Sequence, residues 1–148
     1  MKKVLVALLL LAGLTGLACA GDGAGNGTAN GADNAAESDA VVVQSNGTTP
    51  EDLKRALILA SNMHEAMSKA KFEVVVYGPS VKLLSAFSDS VPLIQKVQSE
   101  GIKVIACGRS LNTEHIDEAD MAPGVKVVPY GAVWIVNREK QGWQYIKP

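Results

Sequence analysis

The sequence predicts an α/β protein, a three-layer α/β/α sandwich on a mostly parallel sheet of four to five strands. Three observations carry that expectation. Short, mostly apolar runs rich in β-branched residues recur at 40–44, 72–77, 104–106 and 125–128, each too short for a helix. Longer stretches with apolar residues three and four apart lie between them, so strand and helix alternate as in successive βαβ units. Gly or Pro follows the runs, at Gly47, Gly78, Gly108 and Pro129, as the punctuation that ends a strand. Runs that stay apolar instead of alternating belong to strands covered on both faces, the mark of a parallel sheet, and its crossovers must be right-handed.

The chain of 148 residues divides into a signal peptide (1–20), a flexible linker (21–39) and one folded domain (40–148). Lys2 and Lys3 form a positive start, residues 4–14 an apolar stretch too short to span a bilayer, and Ala18-Cys19-Ala20 a small-residue end. Two processing outcomes fit. Cleavage after Ala20 by the A-x-A rule releases a soluble protein to the bacterial periplasm. Alternatively, Gly16-Leu17-Ala18-Cys19 resembles a bacterial lipobox, departing from it at Gly16, and Cys19 would then carry lipid and tether the protein to the membrane. The linker has no large apolar residue, so it cannot offset its ordering entropy, and it would suit a tether. Asn26 and Asn46 stand in N-x-T patterns, which read as chance beside a bacterial-type signal. Without the signal's two lysines the net charge is −3, and the four acids of the linker account for most of it, leaving residues 40–148 at +1. A near-neutral body excludes nucleic acid as the main partner, because phosphate binding needs a clustered basic face.

Residues 40–44 open the domain as a buried strand. Thr49 as N-cap, Pro50 in the first turn and Asp52 three positions after the cap start a helix expected to run to about Lys69. Leu53, Ala56, Leu57, Ala60, Met63, His64 and Met67 make its apolar face. His64 reads as a packed or interface histidine, since no second metal-type residue follows at helical spacing. Residues 72–77 form the second strand, closed by Gly78-Pro79-Ser80. Residues 81–87 predict a short helix carrying Leu83, Leu84 and Phe87, and 91–100 another with Val91, Ile94, Val97 and Gln98, capped by Gly101. The third strand, 104–106, leads to a helical turn at 112–118 and a fourth strand at 125–128. Residues 132–141 predict a helix that brings Val133, Trp134, Ile135 and Val136 near the core, and 144–147 a last short strand.

Cys107 stands at the carboxyl end of the third strand, where open α/β sheets bind their ligands. Cys19 is removed with the signal or blocked by lipid, so Cys107 is the one thiol of the mature domain, a pattern that flags intermolecular pairing or a reactive thiol. The competing reading is structural: free cysteine is often buried as a small hydrophobe. A thiolate is favoured by nearby cations, and Arg109 lies two residues on as a candidate stabiliser. Gly108 would let a partner's sulfur approach the backbone, and His115, eight residues on, is a candidate base. Asn46, Tyr77, Gly78 and Tyr130 end or follow neighbouring strands and are expected, with Gly108, to line the same pocket.

Tyr77-Gly78-Pro79-Ser80-Val81-Lys82-Leu83-Leu84, Gly101-Ile102-Lys103-Val104-Ile105-Ala106-Cys107, Val127-Val128-Pro129-Tyr130-Gly131-Ala132-Val133 and Gly142-Trp143-Gln144-Tyr145-Ile146-Lys147-Pro148 occur in that order. Together they resemble the DsrE/DsrF-like family, including its YchN type, over about residues 40–148. The resemblance implies a parallel-sheet α/β fold, a homotrimer or homohexamer, and sulfur relay through a cysteine persulfide, with sulfur donor and acceptor proteins as partners. Cys107 matches the family's cysteine after the third strand. Export sets this chain apart from the cytoplasmic relay members. Met63, Met67 and Trp134 are the surfaces expected to be buried between subunits.

The sequence has no G-x-S-x-G elbow, Walker loop, dinucleotide fingerprint or C-x-x-C pair, and its two histidines are isolated. No metal and no cofactor is therefore expected. Two functions from different classes remain: a thiol-based sulfur carrier or sulfurtransferase-like protein working through Cys107, and a non-catalytic oligomeric module that binds a small ligand at the strand ends, with Cys107 as packing. An accessible Cys107 favours the first and one sealed among apolar neighbours the second.

Overall fold

The structure, a computed structural model, describes residues 39–148. The segments expected as signal peptide (1–20, with Cys19 as its candidate lipidation site) and as linker (21–39, save for Asp39) fall outside the described residues. The apolar runs form β1 (Ala40–Ser45), β2 (Lys71–Val76), β3 (Lys103–Cys107) and β4 (Lys126–Val128), and the last short segment forms β5 (Gln144–Ile146). They make one five-stranded sheet in the order β4-β3-β2-β1-β5. Every neighbouring pair is parallel, so the sheet is parallel throughout.

Because side chains alternate along a strand, each strand feeds two cores. Val41 and Val43 of β1 join Phe72, Val74, Val76, Val104 and Ala106 on one face, under α1 (Pro50–Ala66), α2 (Val91–Ser99) and α3 (Gly108–Thr113), which contribute Leu53, Leu57, Ile94, Val97 and Leu111. Val42, Val75, Ile105 and Val128 face the other way and meet Ile135 of α4 (Gly131–Lys140). Helices on both faces give the α/β/α layering the sequence predicts.

α1 begins as the sequence requires: Thr49 and Asp52 form a reciprocal capping box, with the Asp52 N–H donating to Thr49 Oγ1 at 3.3 Å and the Thr49 N–H to Asp52 Oδ2 at 3.2 Å. It ends at Ala66, three residues short of the expected Lys69. The helix expected at 81–87 is a 3-10 helix, Gly78–Leu84, begun three residues earlier. Its three-residue repeat buries Val81 and Leu84 together. Phe87 is left 91 % exposed, because the chain has already turned at Ser85 to bridge Met121. The helical turn expected at 112–118 is also displaced. α3 starts at Gly108, directly after β3, and a short 3-10 turn follows at Glu118–Asp120. α2 closes where expected, with Gly101 in the left-handed region at φ +90°.

The face under α4 holds a feature the sequence reading missed. Glu73 of β2 is 1 % exposed. Arg138 grips it with two hydrogen bonds, Nε to Oε2 at 2.8 Å and Nη2 to Oε1 at 2.7 Å, and Trp134 Nε1 donates to Oε2 at 2.8 Å. The guanidinium also lies 4.5 Å from the ring centroids of both Trp134 and Trp143. Trp134 thus has partners inside the fold, and Met63 and Met67 pack against the core under α1, yet all three surfaces named for subunit contact stay partly exposed in the single chain. Val133 and Val136, expected near the core, are exposed instead, because α4 touches the sheet along one narrow stripe through Ile135.

Candidate functional site

β3 and β4 are neighbours, yet the chain leaves them in opposite directions, into α3 on one face and α4 on the other. That divergence opens a crevice at the carboxyl ends of the strands, the place where open α/β sheets receive ligands. The crevice has a volume of about 600 Å³, and Gly108, Arg109, Asn112, Asp117, Glu118 and Tyr130 are among its lining residues.

Cys107 is the last residue of β3, in register with Val128, and serves as N-cap residue of α3. Alternation places its side chain with Ile105 on the α4 face, outside the crevice lining, where it is 5 % exposed. Gly131, the first residue of α4, lies directly on it: a Cβ there would stand 3.0 Å from the Cys107 Cβ, 3.3 Å from the Tyr77 Cβ and 3.4 Å from a Val75 methyl. Any side chain here would make these neighbours give by a few tenths of an ångström, so glycine suits a helix start this close to the cysteine.

The surroundings of the sulfur are polar as well as tight. Burial pushes the Cys107 thiol up, but the N–H of Gly131, the hydroxyl and N–H of Ser110 and the N–H of Arg109 outweigh it, and the thiol is held below its ordinary value. Donors aimed at a sulfur favour its anion, and the Gly131 N–H does so from the first turn of a ten-residue helix. Ser110 in turn accepts the Gly78 N–H at 2.8 Å. Beyond the thiol, Tyr77, Gln44 and Tyr145 continue across the α4 face. The Tyr145 hydroxyl donates to Gln44 Oε1 at 2.5 Å. The Tyr77 phenol is pushed above its usual range, by burial first and then by Tyr145, against a hydrogen bond from Gln44, with Cys107 adding to the rise.

The residues singled out from the sequence are therefore divided among several places. Cys107 and Tyr77 come together under Gly131. Gly108, Arg109 and Tyr130 line the crevice. Gly78 joins the thiol only through Ser110. Asn46 belongs to a separate cavity of about 340 Å³ at the end of β1, with Asp52, Arg55 and Lys147, so the single shared pocket is corrected. Arg109 acts on the sulfur through its backbone N–H, and its side chain is exposed. His115 is exposed, in a left-handed turn at φ +54° just past α3, and is not among the groups acting on the thiol. Ser110, Gly131, Gln44 and Tyr145 were missed. Ser110 carried a signal, since it stands three residues after Cys107 at the capping-box offset. Among the described residues no group of three or more His, Cys, Asp or Glu is placed to hold a metal ion, and no helix is long and apolar enough to cross a membrane.

Residues 38–148 match the model of the DsrE/DsrF-like family. The chain matches none of the curated proteins. Among solved structures, a protein of unknown function from Methanobacterium thermoautotrophicum, MTH1491, is 30 % identical with a TM-score of 0.65, over 74 % of this chain and 99 % of that one. The ychN protein of E. coli, at 14 % identity and a TM-score of 0.66, is covered over 99 % of its length by 74 % of this chain, and shows the same fold. So does BT1422, a conserved protein of unknown function from Bacteroides thetaiotaomicron, at 15 % identity and a TM-score of 0.61, with 74 % and 95 % covered. A family match over nearly all the described residues, with a 30 % identical structure aligned end to end, settles the kinship: the chain belongs to the DsrE/DsrF-like family.

Proposed function

We propose that this protein is a sulfur carrier, taking a sulfane sulfur onto Cys107 as a persulfide and passing it to an acceptor. One observation carries the reading: a buried thiol is surrounded by hydrogen-bond donors that pull it below its ordinary value, when burial alone would push it up. A cysteine kept for packing has no use for them. In the first step the Cys107 thiolate attacks the outer sulfur of a donor persulfide, the donor's S–S bond breaks, and the donor leaves as a thiolate. Cys107 then carries the extra sulfur, and an acceptor thiolate takes it by the same displacement, with Cys107 as leaving group. No outside oxidant or reductant is consumed, and the same donors that favour the thiolate favour the persulfide anion.

In this reading the Tyr130-Gly131 corner moves aside to admit the donor, because Cys107 is 5 % exposed in the single chain. The protein acts outside the cytoplasm, exported by residues 1–20, and is either free in the periplasm or held by lipid at Cys19. It assembles as a homotrimer or homohexamer through the exposed Val133, Val136 and Tyr145. Light scattering showing a monomer at micromolar concentration would remove the assembly, and release of the protein from membranes by Cys19→Ala would establish the anchor. The carrier itself is tested by incubating reduced protein with a sulfane-sulfur donor. The chain gains the mass of one sulfur atom, and Cys107→Ser abolishes the gain while keeping the fold.

The second reading, a non-catalytic module that binds a small ligand in the crevice, draws on the same 5 % exposure of Cys107. It stands in place of the carrier if the native protein takes up no sulfur and Cys107 resists alkylation until the domain is unfolded.

A further inference from the structure

We propose that Ser110 is a positioning residue for the Cys107 sulfur: the Gly78 N–H fixes its hydroxyl oxygen, which leaves its proton directed at the sulfur. The role rests on the carrier reading for its purpose, but its test does not.

The geometry begins with α3. Cys107 is its N-cap and Ser110 its third residue, the offset at which Thr49 and Asp52 bring their side chains within 2.8 Å at the start of α1. A serine hydroxyl has one proton to give and two lone pairs. The Gly78 N–H, 2.8 Å from Oγ, takes a lone pair and sets the side chain's direction from outside the helix. Gly78 can aim its N–H there because it sits in the left-handed region, at φ +64°. A second hydroxyl in the same helix shows the usual alternative: Thr113 donates to the carbonyl four residues back, at Arg109, with 3.0 Å between them. Ser110 stands too close to the helix start to have such a carbonyl within α3, so its proton remains for the sulfur.

The Cys107 side chain makes no capping hydrogen bond as it stands. A neutral thiol is a weak acceptor, whereas a thiolate or persulfide anion is a strong one, so the arrangement is more favourable to the charged form. The fall of the thiol below its ordinary value, in which both the hydroxyl and the N–H of Ser110 take part, agrees with this. Ser110 also ties the loop after β2 to the thiol, since Gly78 directly follows Tyr77.

The test is the ionisation of Cys107 followed by NMR on full-length protein labelled with ¹³C at the cysteine β-carbon, with Cys107→Ser identifying the resonance. Ser110→Ala raises the midpoint by about one pH unit, as expected for losing one hydrogen bond to an anion, and Ser110→Thr, which keeps the hydroxyl, restores it. Should Ser110→Ala fail to fold, the unmodified protein supplies the second measurement: the Gly78 amide resonance titrates with the Cys107 midpoint and stops doing so in Cys107→Ser. An unchanged midpoint in Ser110→Ala, a Ser110→Thr that behaves like it, or a Gly78 amide indifferent to Cys107 overturns the proposal. Sulfur uptake is scored separately. A protein that shows the midpoint shift but takes up no sulfur refutes the carrier and leaves Ser110 in its role.

Discussion

The two faces of the sheet are built on different principles. Under α1, α2 and α3 the contacts are aliphatic and complete, with Leu53, Leu57, Ile94 and Val97 at 0 % exposure. Under α4 a single helix covers the strands, and between a few apolar contacts lie a buried ion pair, two indoles against its guanidinium, a thiol, an amide and two phenols. The first face secures the fold. The second holds groups whose energies depend on charge, and the ion pair and the thiol depend on where α4 lies. Apolar contacts tolerate small shifts, whereas charged hydrogen bonds are directional, so the thinly covered face is where the helix position matters to chemistry.

The largest expected effect sharpens that contrast. Arg138→Ala leaves Glu73, 1 % exposed, as an unpaired buried carboxylate, and should cost about 3–5 kcal/mol in urea unfolding. Replacing Glu73 and Arg138 together by leucine should recover much of the loss, because the pair's desolvation is then removed too. If the single and double variants are equally unstable, the second face is held by packing after all. On the first face, Leu57→Ala should cost about 3 kcal/mol through the cavity it leaves, with the Cys107 midpoint unchanged. A moved midpoint would show that the faces are coupled.

Gly131→Ala drives a methyl to 3.0 Å from the Cys107 Cβ. A cost of about 1–2 kcal/mol follows from the overpacking, and sulfur uptake should fall more than stability does, since the helix start is lifted from the thiol. Normal uptake in this variant would argue against the Gly131 N–H as a donor to the anion. The smallest effect is a pH dependence. The folded thiol lies below its ordinary value, so its contribution is absent below the folded midpoint, grows as pH rises through it, and is complete above the unfolded value of about 8.5. Wild type should therefore gain stability relative to Cys107→Ser as pH rises through the folded midpoint toward the unfolded value, read as a widening gap between their urea midpoints. A gap that narrows as pH rises has the wrong sign for a stabilised thiolate.

What the sequence revealed follows the range of the interactions involved. The strands and the start of α1 were legible because apolar runs and a capping box lie within a few residues. Cys107 was legible as a thiol at a strand end for the same reason. Glu73 sat inside a run read as a strand, but its partner Arg138 is 65 residues away, and no local pattern announces such a pair. Gly131 stood in the sequence only as part of the run 127–133, and only the crossing of α4 over β3 makes it the residue on the thiol. Nearness along the chain also misled. Arg109 and His115 follow Cys107 closely, yet one offers its backbone and the other, itself in the left-handed region, is exposed. Phe87 was assigned by helical spacing in a segment whose true repeat is that of a 3-10 helix ending at Leu84.

The strands shorten from the middle of the sheet outward, from six residues in β1 and β2 to three in β4 and β5. A parallel sheet left open at its sides invites another chain to add itself as one more strand, the first step toward insoluble fibres. Here an intruder finds a ladder of three residues on either flank, and Lys126 opens one of those strands while Lys147 follows the other. Each flank offers half the backbone pairing available in the centre, next to a charge that must stay hydrated. A protein with this outline can be concentrated with little tendency to polymerise through its edges.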